Sequence, residues 1–297
     1  MSTRTKGVLC ILLSGLGFAT MNLLIPLAGS LPTIQKMFFR NLVAMGVALW
    51  IVYQQHRQQP LKEIKQPKLI PWKILICRVL LGTLGIFCNY YALDHLLISD
   101  ASVLNKIAPF ATLIFSAVFL KESLTKTHIA ALGLALIGVL FVTKPSLSSP
   151  HLLAYAVGIL GGIFAGGAYT CVRSLTQKGV SSPIIILAFS CFSCLVCIPW
   201  LLIHGVPMSW QSGLALLGVG LAASVGQLGI TYAYQFAPAS EISIFDYSAI
   251  VFTGILGMVF LNQIPDIYSV LGYVIIFSGA LITFLYNRYQ MRQVHRP

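Results

Sequence analysis

Ten apolar runs, each 17 to 24 residues long, occupy most of this 297-residue chain, at about 7–27, 34–53, 72–94, 98–120, 127–143, 152–172, 182–203, 211–234, 240–261 and 267–287. A helix needs about 20 mostly apolar residues to cross the hydrocarbon core of a bilayer. Only 9% of the residues are charged and 57% are hydrophobic, with a mean hydropathy of +0.87, whereas roughly a quarter of a soluble domain is charged. The expected fold class is therefore an all-α integral membrane protein with ten transmembrane helices, and an ordinary soluble domain is excluded.

The net charge of +12 comes from 19 Lys and Arg against seven Asp and Glu. Sorting the basic residues by alternate loops tests the ten-span topology. One side holds 14 of them: Arg4, Lys6, Arg57, Lys62, Lys65, Lys68, Lys73, Lys121, Lys126, Arg173, Lys178, Arg288, Arg292 and Arg296. The other side holds Lys36 and Lys144 alone. The positive-inside rule then puts both termini in the cytoplasm, and the expected location is the bacterial inner membrane. Basic residues distributed this way argue for a lipid bilayer as partner and against nucleic acid. The seven cysteines lie almost wholly in apolar runs, so they form no extracellular disulfide framework. The first run is long enough to span and lacks a small-residue cleavage site, so it does not read as a removable signal.

The sequence also repeats itself. A displacement of 141 residues sets Tyr91-Ala92 on Tyr232-Ala233, Ser102 on Ser243, Phe119-Leu120 on Phe260-Leu261 and Gly138 on Gly279. A weaker match at 146 sets Gly15, Phe18 and Ala19 on Gly161, Phe164 and Ala165. The unit is five spans, an odd number, so related halves must be inverted with respect to one another, as in secondary transporters. The expected organisation is a first repeat over 1–145, a second over 152–287 and a basic cytoplasmic tail over 288–297, with Lys144–Pro150 as the linker. Chance similarity between apolar helices is the alternative.

Tyr90-Tyr91-Ala92-Leu93, Asp100-Ala101-Ser102, Pro109 and Phe119-Leu120-Lys121-Glu122 are echoed by Tyr232-Ala233-Tyr234, Ala239-Ser240 and Phe260-Leu261-Asn262-Gln263. In this 5+5 arrangement the chain resembles the drug/metabolite transporter superfamily, EamA type, over essentially its whole length. The resemblance implies a transporter of amino acids or metabolites and leaves direction open. Members of the family often carry a proline in span nine matching Pro109 and a glutamate matching Glu122. Ile250 and Gln263 stand there instead, which weakens the expectation of a matching hinge and a matching terminal charge in the second half.

Ionisable side chains inside a bilayer are costly, about 2.5–3.5 kcal/mol on insertion scales, and usually face a partner or a watery cavity. Lys106 and Asp246 each fall some way into spans that start on opposite faces, so both reach toward the midplane. The 141 displacement sets Asn105-Lys106 on Asp246-Tyr247. The expected solute site has a cationic pole at Lys106 and an anionic pole at Asp246, flanked by Asn105 and Tyr247, and suits a zwitterion such as an amino acid. A Lys106–Asp246 ion pair that binds nothing is the alternative. Arg40 and Arg78 either snorkel to the nearest interface or line the solute path and attract anionic groups. Asn89, Tyr90, Tyr91, Gln227, Tyr232 and Tyr234 offer neutral hydrogen bonds, or hold helices together. Asp94, His95 and Asp100 are candidates for proton coupling, Glu122 and Glu241 for gate contacts, and a solvated loop is the alternative for both sets.

Cys191, Cys194 and Cys197 have C-x-x-C-x-x-C spacing, but on a helix they step around its face and no fourth ligand is near, so they read as small buried hydrophobes. The small-residue spacing of Gly162 and Gly166 reads as helix packing, with a homodimer contact as the lesser alternative. No phosphate-binding loop, H-E-x-x-H pair or G-x-S-x-G elbow is present, and no cofactor or metal is expected. The expected function is export of a small organic solute, an amino acid or related metabolite, by alternating access, driven by a proton or counter-solute. Uptake or exchange of a metabolite, including a nucleotide-like or adenosyl compound stacked on the tyrosines and Phe164, stays open. So does a polytopic membrane enzyme using Asp94 and His95.

Overall fold

The computed structural model describes residues 2–58, 70–96, 101, 104–122, 124–143, 152–261 and 266–294. Lys62, Glu63, Lys65, Lys68, Asp100, Ser102, the linker 144–150, Asn262 and Gln263 lie outside the described residues. Among the described residues there is no strand. The helices are α1 (Thr3–Leu24), α2 (Thr33–Gln58), α3 (Trp72–His95), α4 (Ile107–Leu120), α5 (Lys126–Thr143), α6 (Leu152–Gln177), α7 (Ser182–His204), α8 (Trp210–Phe236), α9 (Ser248–Leu261) and α10 (Ile267–Val294). A one-turn helix, Ala239–Ile242, and a 3-10 segment, Ser243–Tyr247, precede α9. Six helices, α1 to α3 and α6 to α8, are long and apolar enough to cross a membrane, and the rest carry shorter apolar stretches, Ile107–Leu120, Lys126–Phe141, Ile244–Phe260 and Val270–Tyr286.

The polarity of the bundle is reversed relative to a water-soluble fold. Ser14, Asn41, Thr112 and Ser193 are fully buried, while Leu202, Ile203, Phe119 and Trp210 point outward and are 66% or more exposed, Leu202 reaching 82%. Such a surface matches lipid, and the chain is a multi-pass membrane protein. The ends of the helices are set by ordinary signals. The Ser2 and Ser209 hydroxyls accept from the amides of Thr5 and Ser212, which caps α1 and α8. Gly179 takes φ +83 after α6, a left-handed conformation glycine adopts without steric cost, and the Val180 amide then bonds back to the Leu175 carbonyl at 3.0 Å.

Three boundaries extend past the apolar runs. α2 continues to Gln58 and α10 to Val294, through Arg288 and Arg292, where the sequence reads as a tail. α6 continues to Gln177 and so takes in Arg173, which hydropathy assigns to a loop. A helix need not end where it leaves lipid, and Arg173 finds its counter-charge within the protein, as described below.

α1 packs along α8 and α3 along α6, α2 lies on α7 and α5 on α10, while α4 crosses α6 and α9 crosses α1. Each of these pairs joins a helix before residue 144 to one after residue 152. Exchanging α1 with α6, α2 with α7, and so on through α5 and α10, turns every pair into one of the same set. Small residues permit the closest of these approaches. A Cβ on Gly17 of α1 would sit 2.6 Å from the Gly226 amide nitrogen and 2.9 Å from the Ala222 carbonyl of α8, and the Ser14 hydroxyl donates to the Gly226 carbonyl at 2.6 Å. Gly85 and Gly161 bring α3 and α6 together in the same manner, and Gly162 and Gly166 seat α4 against α6. The Gly162 and Gly166 spacing is thus used for packing inside the bundle.

Overpacking a close crossing costs about 1–3 kcal/mol. Gly17→Ala is expected to lower the melting temperature of the purified protein by several degrees, whereas Gly46→Ala, whose new methyl meets nothing within 4 Å, is expected to leave it unchanged or slightly raised. Thermal unfolding followed by tryptophan fluorescence separates the two.

Candidate functional site

Two of the expected spans are broken. Residues 104 and 105 are helical, Lys106 leaves the helix at φ −75, ψ 3, and α4 starts afresh at Ile107. Pro109 supplies a cause: it has no amide hydrogen to give the carbonyl of residue 105, and its ring clashes with that carbonyl. In span nine the chain passes from the one-turn helix through the 3-10 segment Ser243–Tyr247 before α9 begins at Ser248. Ile250 stands where the first half has proline, yet the helix is interrupted in the second half as well.

The breaks meet. The Lys106 ammonium lies 3.2 Å from Oδ2 of Asp246 and donates to the Asp246 backbone carbonyl at 3.1 Å. The two side chains are only 13% and 7% exposed. The second contact matters as much as the first, because a 3-10 segment in a buried place leaves carbonyls that need a donor. The expected cationic and anionic poles are therefore in contact with each other. Among the described residues, Oδ1 of Asp246 and the Ser248 hydroxyl two residues on are buried without a hydrogen-bond partner.

The neighbours divide. Asn105 is half-buried in the break itself. Tyr247 is fully buried in an apolar cluster with Leu113, Leu132, Val139 and Ile276, and its hydroxyl has no partner among the described residues. Gln227 is buried on α8 and bonds within its own helix, to Thr231 at 3.5 Å. Asn89 and Phe164 are half-buried on α3 and α6. Tyr232 stacks on Phe236, and Tyr91 on His95 with ring centroids 4.1 Å apart.

Arg40 and Arg78 do not reach an interface. They are 4% and 1% exposed, so snorkelling is ruled out. Arg40 donates to the Asn41 side-chain oxygen at 3.2 Å, and the Arg78 guanidinium lies over the Phe189 ring of α7, 4.2 Å from its centroid. Tyr169 of α6, which sequence reasoning passed over, lies within electrostatic reach of Arg40, Arg78 and Asp246 together. Its ring stacks on Tyr234 with centroids 5.7 Å apart, and no motif marks it.

The ends of the bundle carry further ion pairs. At the end where α1 begins, Arg173 Nε donates to Glu122 Oε1 at 2.8 Å and its Nη1 to the Tyr234 carbonyl at 2.8 Å. Glu122 Oε2 accepts from the Ala239 amide at 3.0 Å, so one carboxylate ties α4, α6 and the one-turn helix together. Lys121, in the left-handed region at φ 55, turns the chain so that Glu122 reaches them. Glu241 pairs with Arg4 at 3.0 Å on the same end. At the opposite end Asp94 pairs with Lys36 at 3.7 Å, a partner the sequence did not indicate, beside an exposed His95. There Gln35 also exchanges two hydrogen bonds with the Val206 backbone, at 2.8 and 3.1 Å. No group of three or more His, Cys, Asp or Glu among the described residues is placed to hold a metal ion. Cys191 is exposed while Cys194 and Cys197 are buried.

An apolar exterior around buried charges marks a membrane protein, and comparison with known proteins specifies the class. The EamA-like transporter family model matches twice, over residues 5–144 and 152–285, and the chain belongs to that family. It is 31% identical to the pseudopaline exporter CntI of Pseudomonas aeruginosa strain UCBPP-PA14, over 93% of this chain and 95% of the exporter. It is 28% identical to an uncharacterized transporter of Helicobacter pylori strain J99, over 93% of each. A crystal structure of a protein only 16% identical superposes with a TM-score of 0.81, covering 97% of this chain and 99% of the other, which shows the shared fold.

Removing one member of a buried ion pair strands the other, at a cost of about 3–5 kcal/mol. Lys106→Ala and Asp246→Ala are each expected to destabilise the protein more than the double substitution does. Melting temperatures of the three variants in one detergent check this, and additive losses would show that the pair is not coupled.

Proposed function

We propose that this protein is a secondary transporter that exports a small organic solute, an amino acid or related metabolite, across the inner membrane by alternating access. In this reading all ten helices cross the membrane, and residues 1–145 and 152–287 are inverted five-helix halves. Residues 288–297 and both termini face the cytoplasm. The helix boundaries support the repeat. Displaced by 141 residues, α4 coincides with α9 at both ends, α3 and α8 end together, and α5 and α10 start together. Three helices with long apolar stretches followed by two with shorter ones recur in each half, and the packing pairs are closed under exchange of the halves.

The observation that carries the function is the contact between Lys106 and Asp246, one charge from each half, each at a helix break. Discontinuous helices near the midplane are where secondary transporters bind their solutes. When the halves rock apart the pair must separate, and each charge then needs a substitute. The carboxylate and ammonium of a zwitterion supply both. Oδ1 of Asp246, buried and unpartnered, offers the ammonium a first acceptor while the pair is still closed. Glu122–Arg173 and Arg4–Glu241 act as the cytoplasmic gate, and Gln35–Val206 as the opposite one. That a relative is named as an exporter supports outward movement.

Counterflow in proteoliposomes tests the reading. Vesicles preloaded with an unlabelled amino acid are expected to accumulate the labelled form chemically unchanged, with uptake lowered more than tenfold by Lys106→Ala or Asp246→Ala. Full exchange in both variants would remove the pair from the mechanism, and conversion of the label to a product would make the protein a membrane enzyme.

A further inference from the structure

Among the described residues, Arg40 and Arg78 are buried charges without buried counter-charges. Asp94, Glu122, Glu241 and Asp246 are engaged by Lys36, Arg173, Arg4 and Lys106, and none bonds to either arginine. Nε of Arg40, Nε of Arg78 and the hydroxyl of Tyr90, 3% exposed, are all buried without a hydrogen-bond partner among the described residues. All three are donors. Arg40 is within electrostatic reach of Tyr90 and Tyr169, and Arg78 is within reach of Tyr169 and of Arg40 itself. Two like charges in a medium of low dielectric constant repel one another strongly, so the arrangement is unfavourable for the protein alone.

The scaffold does not require it. The 141 displacement sets Arg78 on Val219, which is fully buried in an apolar cluster with Met21 and Ala223. The same helix position is therefore filled by a hydrophobe in one half and a guanidinium in the other. Room has been made for the charge as well. A Cβ on Gly82 would collide with Nη1 of Arg78 and come within 2.8 Å of the Phe189 ring, so glycine at 82 keeps the guanidinium seated on that ring.

We propose that Arg40 and Arg78, with the Tyr90 hydroxyl, form a subsite for an oxyanion of the transported solute, a carboxylate or a phosphate, so that the solute is an organic anion rather than a neutral zwitterion. This rests on the transport reading and sharpens it. With Lys106 and Asp246 neutralising each other, the two arginines leave two positive charges at the centre. A solute with one or two negative charges beyond its zwitterionic pair balances them. Guanidinium groups suit the task because their planar donors engage both oxygens of such a group.

The test has two parts, both on the purified full chain in a neutral detergent. Without added anion, Arg78→Met and Arg40→Met relieve a repulsion and are expected to raise the melting temperature, by roughly 2–4 °C each. A fall, or failure to fold, shows that the charges are structural and overturns the proposal. Citrate, inorganic phosphate and phosphatidylglycerol are then titrated separately at constant ionic strength. Saturable stabilisation of the wild type by citrate or by phosphate, with the half-saturating concentration raised at least tenfold by Arg78→Gln, is the expected result, and it names the oxyanion. Stabilisation by neither, or equal stabilisation of wild type and variant, overturns it, as does a response to the lipid alone. Counterflow with the anion that binds separates the two claims. Binding without exchange leaves the subsite standing and removes the transport reading. Exchange that Arg78→Gln leaves untouched removes the subsite alone.

Discussion

A helix that breaks inside a bilayer exposes carbonyl and amide groups where no water can satisfy them, and each such group costs several kcal/mol if left alone. This chain breaks two helices and brings the breaks together. The Lys106 ammonium bonds to the Asp246 carboxylate and also to the Asp246 carbonyl, so one side chain neutralises a charge and caps interrupted backbone. The rest of the bundle is arranged around that joint. The close crossings of α1 with α8 and α3 with α6 hold the interlocked halves in register. The ion pairs of Glu122 and Glu241 tie off one end and Gln35 the other.

Most of the scaffold was legible in the sequence because lipid makes hydropathy a direct reading of structure. Each apolar run corresponds to a helix or to a broken pair of segments, and the 141 displacement found in a few identities reappears in the helix boundaries. The breaks were not legible as breaks, since residues 98–120 and 240–261 are apolar on average despite their charges and hydropathy has no term for backbone geometry. Pro109 was a usable signal for the first. The second, at Ser243–Tyr247, has none of that kind, and Ile250 pointed away from it. Arg173 was misplaced for a related reason: its charge marked a loop, and only the folded chain reveals that Glu122 and the Tyr234 carbonyl receive it.

The site was legible in part. Lys106 and Asp246 stood out because charge is expensive in an apolar run, but their mutual contact depends on two segments 140 residues apart in sequence. Arg40 and Arg78 were visible by the same rule, and what the sequence left open was whether long side chains escape to the interface. They do not. Tyr169 carried no signal, since a tyrosine on an apolar helix is unremarkable until the arginines and Asp246 are placed around it. The scaffold is nearly symmetric and its buried charges are not: Arg40, Arg78 and Lys106 come from the first half and Asp246 from the second. In the proposed mechanism the inverted repeat supplies the motion, and specificity for a solute needs residues that the repeat does not duplicate.

The central claim is that the Lys106–Asp246 joint must open for the protein to work. With the seven native cysteines replaced, cysteines placed at 110 of α4 and 245 of the 3-10 segment, which pack on one apolar cluster across the joint and leave both charges in place, can be bridged by a short bifunctional thiol reagent in proteoliposomes, and counterflow measured before and after bridging. Exchange that stops in proportion to the fraction bridged, while either single cysteine variant is indifferent to the reagent, is the result this account requires. Exchange that continues at its full rate with the pair quantitatively bridged would contradict it.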